Sequence, residues 1–76
     1  MNLVLTLSCP DRVGVVHAVT GLLAAHGANI LDSQEYGDPD SGRFFMRVHV
    51  TGTPDLREGL SELADQFGME WSLSDT

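Results

Sequence analysis

The spacing of apolar residues switches along this chain in a set order, and that order limits the folds open to it. Leu3, Leu5 and Leu7 alternate with Val4, Thr6 and Ser8, which reads as a strand apolar on both sides. Cys9-Pro10-Asp11 ends it. From about Arg12 to His26 the period becomes helical, with Val15, Val16, Val19, Leu22 and Leu23 on one stripe. Asp11 suits the N-cap, where its carboxylate would accept orphan backbone N–H groups. Gly27 suits the left-handed position that closes a helix.

A second strand runs from about Asn29 to Tyr36. Ile30, Asp32, Gln34 and Tyr36 oppose Leu31, Ser33 and Glu35, and neither face is cleanly apolar, as expected of an edge strand or one that meets a partner. Asp38-Pro39-Asp40-Ser41-Gly42 has the chemistry of a hairpin loop. In the third strand, Arg43 to Val50, the residues Phe44, Met46, Val48 and Val50 form one face. Arg43, Phe45, Arg47 and His49 form the other. Thr53-Pro54 reads as an N-cap followed by Pro at N1. Leu56, Leu60, Leu63, Ala64 and Phe67 then make the stripe of an amphipathic helix, closed by Gly68. Met69, Trp71 and Leu73 alternate as a last strand.

The order is βαββαβ, which predicts a ferredoxin-like α+β domain over residues 1–76. Right-handed crossovers place the first and third strands centrally and the second and fourth at the edges. Both helices cover one face of a four-stranded antiparallel sheet. The other face is open, and Arg43, Phe45, Arg47 and His49 lie on it as candidates for an interface. Such a small chain with two sheet edges is expected to pair with a second copy as a homodimer.

The single cysteine allows no internal disulfide and no Cys-rich zinc site. With no apolar leader and no long apolar run, the chain is expected in the cytoplasm, away from membranes. A net charge of −7 with only four cations, all arginine, argues against binding nucleic acid or anionic membranes. The third strand faintly echoes the aromatic strand of RNA-recognition modules, but Phe45 is its one outward aromatic. His17, His26 and His49 have no metal-ligand spacing, and Cys9 reads as a half-buried structural thiol. No cofactor and no catalytic residue is expected within these residues.

The loop Cys9-Pro10-Asp11-Arg12-Val13-Gly14 leads from a strand to a helix N-terminus, where open backbone N–H groups favour an anion. Gly14 would let a ligand approach the backbone, and Asp11 could receive an ammonium group instead of capping the helix. Together these would suit an α-amino acid. Asn29, at the start of an edge strand, could bond a ligand or simply close the turn, and a dimer pairing edge strands could bring it near this loop of another chain.

These features resemble the ACT domain family: the Cys9-Pro10-Asp11-Arg12-x-Gly14 loop, Gly27-x-Asn29-Ile30 and the βαββαβ order. Gly42-Arg43-Phe44-Phe45-Met46-Arg47 is similar, more narrowly, to the N-terminal ACT domains of the formyltetrahydrofolate deformylase family. The resemblance implies a small regulatory module that pairs and binds an amino acid, glycine or methionine, at the interface. It implies ligand-binding roles for Asp11, Arg12, Gly14, Val15, Asn29 and Ile30. Deformylases hydrolyse formyltetrahydrofolate to tetrahydrofolate and formate in a C-terminal domain, in one-carbon and purine metabolism, and no residue here corresponds to that domain. A stand-alone amino-acid sensor and a pure dimerisation or docking unit are the alternatives.

Overall fold

The computed structural model describes residues 2–11, 13–52 and 55–75. The elements follow the expected order: β1 (Asn2–Pro10), α1 (Val15–Ala25), β2 (Asn29–Asp38), β3 (Arg43–Thr51), α2 (Arg57–Phe67) and β4 (Glu70–Asp75). The sheet order is β2-β3-β1-β4, so the first and third strands are central. Every neighbouring pair is antiparallel.

The core lies between one sheet face and the two helices. Leu3, Leu5, Leu7 and Cys9 of β1 meet Met46, Val48 and Val50 of β3 there. Val15, Val19 and Leu23 of α1 close over them, joined by Leu60 and Phe67 of α2. Leu5, Val19, Leu23, Val48 and Leu60 are wholly inaccessible. Each is worth roughly 1.5–3 kcal/mol of burial, which is how a chain without a disulfide offsets its ordering entropy. Cys9 is fully buried in this core rather than half-buried.

Both helix ends close as their glycines predict. At α1 the Gly27 N–H bonds the Ala24 carbonyl at 3.1 Å and the Ala28 N–H bonds that of Leu23 at 3.0 Å, with Gly27 at φ 73°. This is a Schellman closure, and it satisfies carbonyls that the helix end would otherwise orphan.

The helix starts differ from expectation. α1 begins at Val15, with Gly14 at the N-cap, so Asp11 does not cap it. The reason is a long-range bond. The Asp11 N–H donates to the Gly42 carbonyl at 2.9 Å, which holds Asp11 on the β2–β3 hairpin and delays the helix. α2 has Leu56 at its N-cap and Asp55 Oδ1 accepting from the Arg57 N–H at 3.3 Å. The expected cap at Thr53-Pro54 lies outside the described residues.

β2 extends to Asp38, two residues past the predicted end at Tyr36, because Gly37 and Asp38 pair with Phe44 and Arg43. Asp38 then tightens the turn: Oδ1 accepts the Asp40 N–H at 3.0 Å and Oδ2 the Ser41 hydroxyl at 2.9 Å. The pairing also slips between Ile30, opposite Val50, and Asp32, opposite His49. Leu31 is the extra residue of a bulge, so Ile30 lies on the helix side while Asp32, Gln34 and Tyr36 lie on the open side. The sequence alternation had placed all four together.

The helical glycines are not equivalent. A Cβ on Gly59 would collide with the Leu22 side chain of α1, whereas one on Gly21 would meet nothing within 4 Å among the described residues. Gly59→Val should therefore cost about 1–3 kcal/mol through overpacking at the helix contact. Gly21→Ala should stabilise by about 0.5–1 kcal/mol through helix propensity. Thermal melts followed by circular dichroism check both, with shifts of opposite sign and roughly 4–8 °C per kcal/mol.

Candidate functional site

The predicted ligand residues fall at two ends of the sheet. β1 runs from Asn2, beside Thr51, to Pro10, beside Arg43. Asp11 and Gly14 follow its far end. Asn29 pairs with Thr51 and Ile30 with Val50, at the near end. Nine residues of strand separate the two groups, about 25–30 Å at 3.3 Å per residue. A single chain does not bring them together.

At the far end, Asp11 is exposed and its carboxylate overhangs β2. A methyl group built on Gly37 would lie 3.9 Å from Asp11 Oδ2. Among the described residues no hydrogen bond or ion pair holds this carboxylate. Gly14 turns the chain into α1 at φ 90°, a conformation costly for any residue with a Cβ, and no neighbour among the described residues lies within 4 Å of its Cβ position. Its carbonyl accepts the first helical bond, from Ala18 at 2.9 Å. The N–H groups of Val15, Val16 and His17 precede that bond and have no intrahelical acceptor. Val15 offers only backbone here, because its side chain is in the core. Arg12 lies outside the described residues.

β2 is the more exposed of the two edge strands. Every residue from Asn29 to Gly37 is exposed. Ser33 and Glu35 share the helix side with Val48 and Met46, yet no helix covers them. Ile30 and Leu31 are 39% and 50% exposed beside the free edge. Such an edge carries unpaired backbone donors and acceptors and is a template for another strand. If two copies pair β2 to β2 about a two-fold axis, the strands run antiparallel. The Asn29 end of one then lies beside the Asp38 end of the other, where Asp11 overhangs Gly37.

The open face holds the predicted Arg43, Phe45, Arg47 and His49, and they are not alike. Arg43 donates from Nη2 to the Ser8 hydroxyl at 3.0 Å. His49 is half-buried, and its Nε2 has no hydrogen-bond partner among the described residues. His17 and His26 are exposed on α1 and at its end. Phe45 and Arg47 are exposed. Tyr36 stacks on Phe45, with ring centroids 6.2 Å apart and planes 28° apart. Tyr36 is not among the residues that the alternation of β3 brings to this face. The signal for it was the hairpin: the loop after Asp38 sets the register that puts Tyr36 opposite Phe45. No helix among the described residues is long and apolar enough to cross a membrane.

Gly14→Ala tests the loop geometry. It should destabilise by about 1–2 kcal/mol, since the strain is in the backbone and not in packing. A stability unchanged in urea unfolding would contradict the left-handed turn.

The profile of the ACT domain family matches residues 3–68. A formyltetrahydrofolate deformylase of Corynebacterium sp. (strain P-1) is 46% identical over 76 residues, covering 92% of this chain and 27% of that protein. The crystal structure of a formyltetrahydrofolate deformylase from Pseudomonas putida KT2440 superposes with a TM-score of 0.92 at 32% identity, over 100% of this chain and 29% of that one. A putative glycine cleavage system transcriptional repressor superposes with a TM-score of 0.87 at 25% identity, over 99% of this chain and 45% of that one. The chain thus spans about a quarter of the length of the curated relatives it matches. It belongs to the ACT domain family and corresponds to the N-terminal region of formyltetrahydrofolate deformylases.

Proposed function

We propose that this ACT domain is the effector-sensing module of a formyltetrahydrofolate deformylase, and that its effector is a free amino acid bound between two copies. The observation that carries the reading is the Asp11 carboxylate, which overhangs Gly37 at the end of the uncovered strand β2 with no partner among the described residues. Asp11 would receive the ammonium group. The N–H groups of Val15, Val16 and His17, at the positive end of α1, would receive the carboxylate. Asn29 and Ile30 of the second copy would close the site, because antiparallel β2 pairing sets that end of the strand opposite Gly37. Val15 would contribute backbone alone, and Arg12 would stand between Asp11 and the helix in the chain.

Glycine and methionine are the effectors to try first. Binding would bridge the two copies and so couple effector concentration to their arrangement. Hydrolysis of formyltetrahydrofolate in one-carbon and purine metabolism would belong to the rest of such a protein, in the cytoplasm. The second reading is a stand-alone sensor acting on amino-acid metabolism, favoured by the likeness to the putative glycine cleavage repressor.

Calorimetric titration of glycine and of methionine into the chain should release heat with one of them. Asp11→Asn should weaken that binding roughly 10- to 100-fold, the loss of a hydrogen bond to a charged group. Absence of heat with either amino acid would refute the effector reading. Leu31→Glu, placed on the exposed apolar edge, should convert dimer to monomer in sedimentation. If Phe45→Glu dissociates the pair and Leu31→Glu does not, the copies meet through the open face, and the shared site is wrong.

A further inference from the structure

A hollow of about 630 Å³ opens on the sheet face away from the helices. Its volume falls within the range of small-molecule sites, roughly 300–1,000 Å³. Register places its outward residues in two rows. One row runs Tyr36, Phe45, Ser8, Glu70, and the next runs Gln34, Arg47, Thr6, Ser72. The hollow is therefore an aromatic corner beside a guanidinium, rimmed by an amide, hydroxyls and one carboxylate.

The two anchors are set for a particular shape. Phe45 and Arg47 are two residues apart on one strand, so they stand about 7 Å apart on the same face. That matches the separation between the ring of a small aromatic acid and the cation beyond its carboxylate. Arg47 is exposed and makes no ion pair or hydrogen bond among the described residues, unlike Arg43, which is committed to Ser8. In a chain of net charge −7, Arg47 is a local point of attraction for an anion on a surface that otherwise repels one. Gln34 and Thr6, on either side of it, can donate to the same carboxylate. Glu70 lies two strands from Phe45, about 10 Å away, within reach of an amino or ring N–H group on a ligand stacked at the corner.

We propose that this hollow is a second binding site, distinct from the β2 edge, for a small aromatic carboxylate. The ring packs on the Tyr36–Phe45 pair and the carboxylate takes the fork of Arg47. A single aromatic pair and one uncommitted arginine are too little for a run of nucleotides, which needs successive stacking platforms and repeated phosphate contacts.

Para-aminobenzoate and indoleacetate are the probes, followed by the ring resonances of Tyr36 and Phe45 in NMR titrations. At least one should shift both rings saturably. Arg47→Gln should weaken it roughly tenfold or more, and Arg47→Lys, which keeps the charge but not the fork, should weaken it less. Para-aminobenzamide, neutral and of the same shape, should bind at least about tenfold more weakly than para-aminobenzoate. Asp11→Asn should leave this binding unchanged, which separates the hollow from the amino-acid site. No saturable shift with either acid, or equal binding of acid and amide, overturns the proposal. So does movement of the same resonances on dilution of the Leu31→Glu variant, whose β2 edge no longer pairs, which would make a second copy the occupant.

Discussion

Burial of β1 between its two neighbours and beneath both helices is the contact on which everything else rests. Leu3, Leu5, Leu7 and Cys9 alternate toward the helices and lie in the core along the whole strand. β1 hydrogen-bonds β3 on one side and β4 on the other, so its backbone groups are satisfied while its side chains pack. With no disulfide, this packing must hold the chain together. A truncation such as Leu5→Ala would remove roughly 2–5 kcal/mol from a small domain.

What that packing leaves uncovered is where recognition is possible. The buried side chains of the helices pack with those of β1 and β3, while β2 keeps exposed residues along its length. Among the described residues nothing covers the far face of the sheet, where Tyr36, Phe45 and Arg47 are exposed. Neither region is a defect of stability. An edge strand with exposed Ile30 and Leu31, and a face with stacked aromatics beside an arginine, are poor solvent surfaces and good binding surfaces. The ACT architecture thus separates the work. One side of the sheet supplies stability, and the periphery supplies the surfaces on which the proposed contacts with effector and partner would form.

The Asp11 loop shows how a local motif and a distant contact combine. By its own chemistry Asp11 belongs at a helix N-cap. The Gly42 carbonyl takes its N–H instead, and Gly14 turns the chain into α1 three residues later. The carboxylate is thereby moved off the helix end and set over Gly37, where it can face a second chain. The N–H groups of the first helical turn keep no side-chain cap, since Gly14 has none to offer. A capping carboxylate would have occupied the donors that the proposed effector carboxylate would use.

The element order, the sheet order and the core face were legible in the amino-acid sequence, because each follows from hydrophobic period, turn chemistry and crossover handedness. The stripe Arg43, Phe45, Arg47, His49 was legible for the same reason, as the alternate face of a clearly patterned strand. Other features depend on residues far apart in the chain. The start of α1 was decided by the bond from Asp11 to Gly42. The bulge at Leu31 moved Ile30 to the opposite side from Asp32, and only pairing with β3 reveals it. The stack of Tyr36 on Phe45 came from hairpin register, and the need for glycine at position 59 came from Leu22 on the other helix. Local spacing determines what each segment prefers; which groups meet, and which are left unpartnered, is decided only when the segments pack and compete for the same hydrogen bonds and the same space.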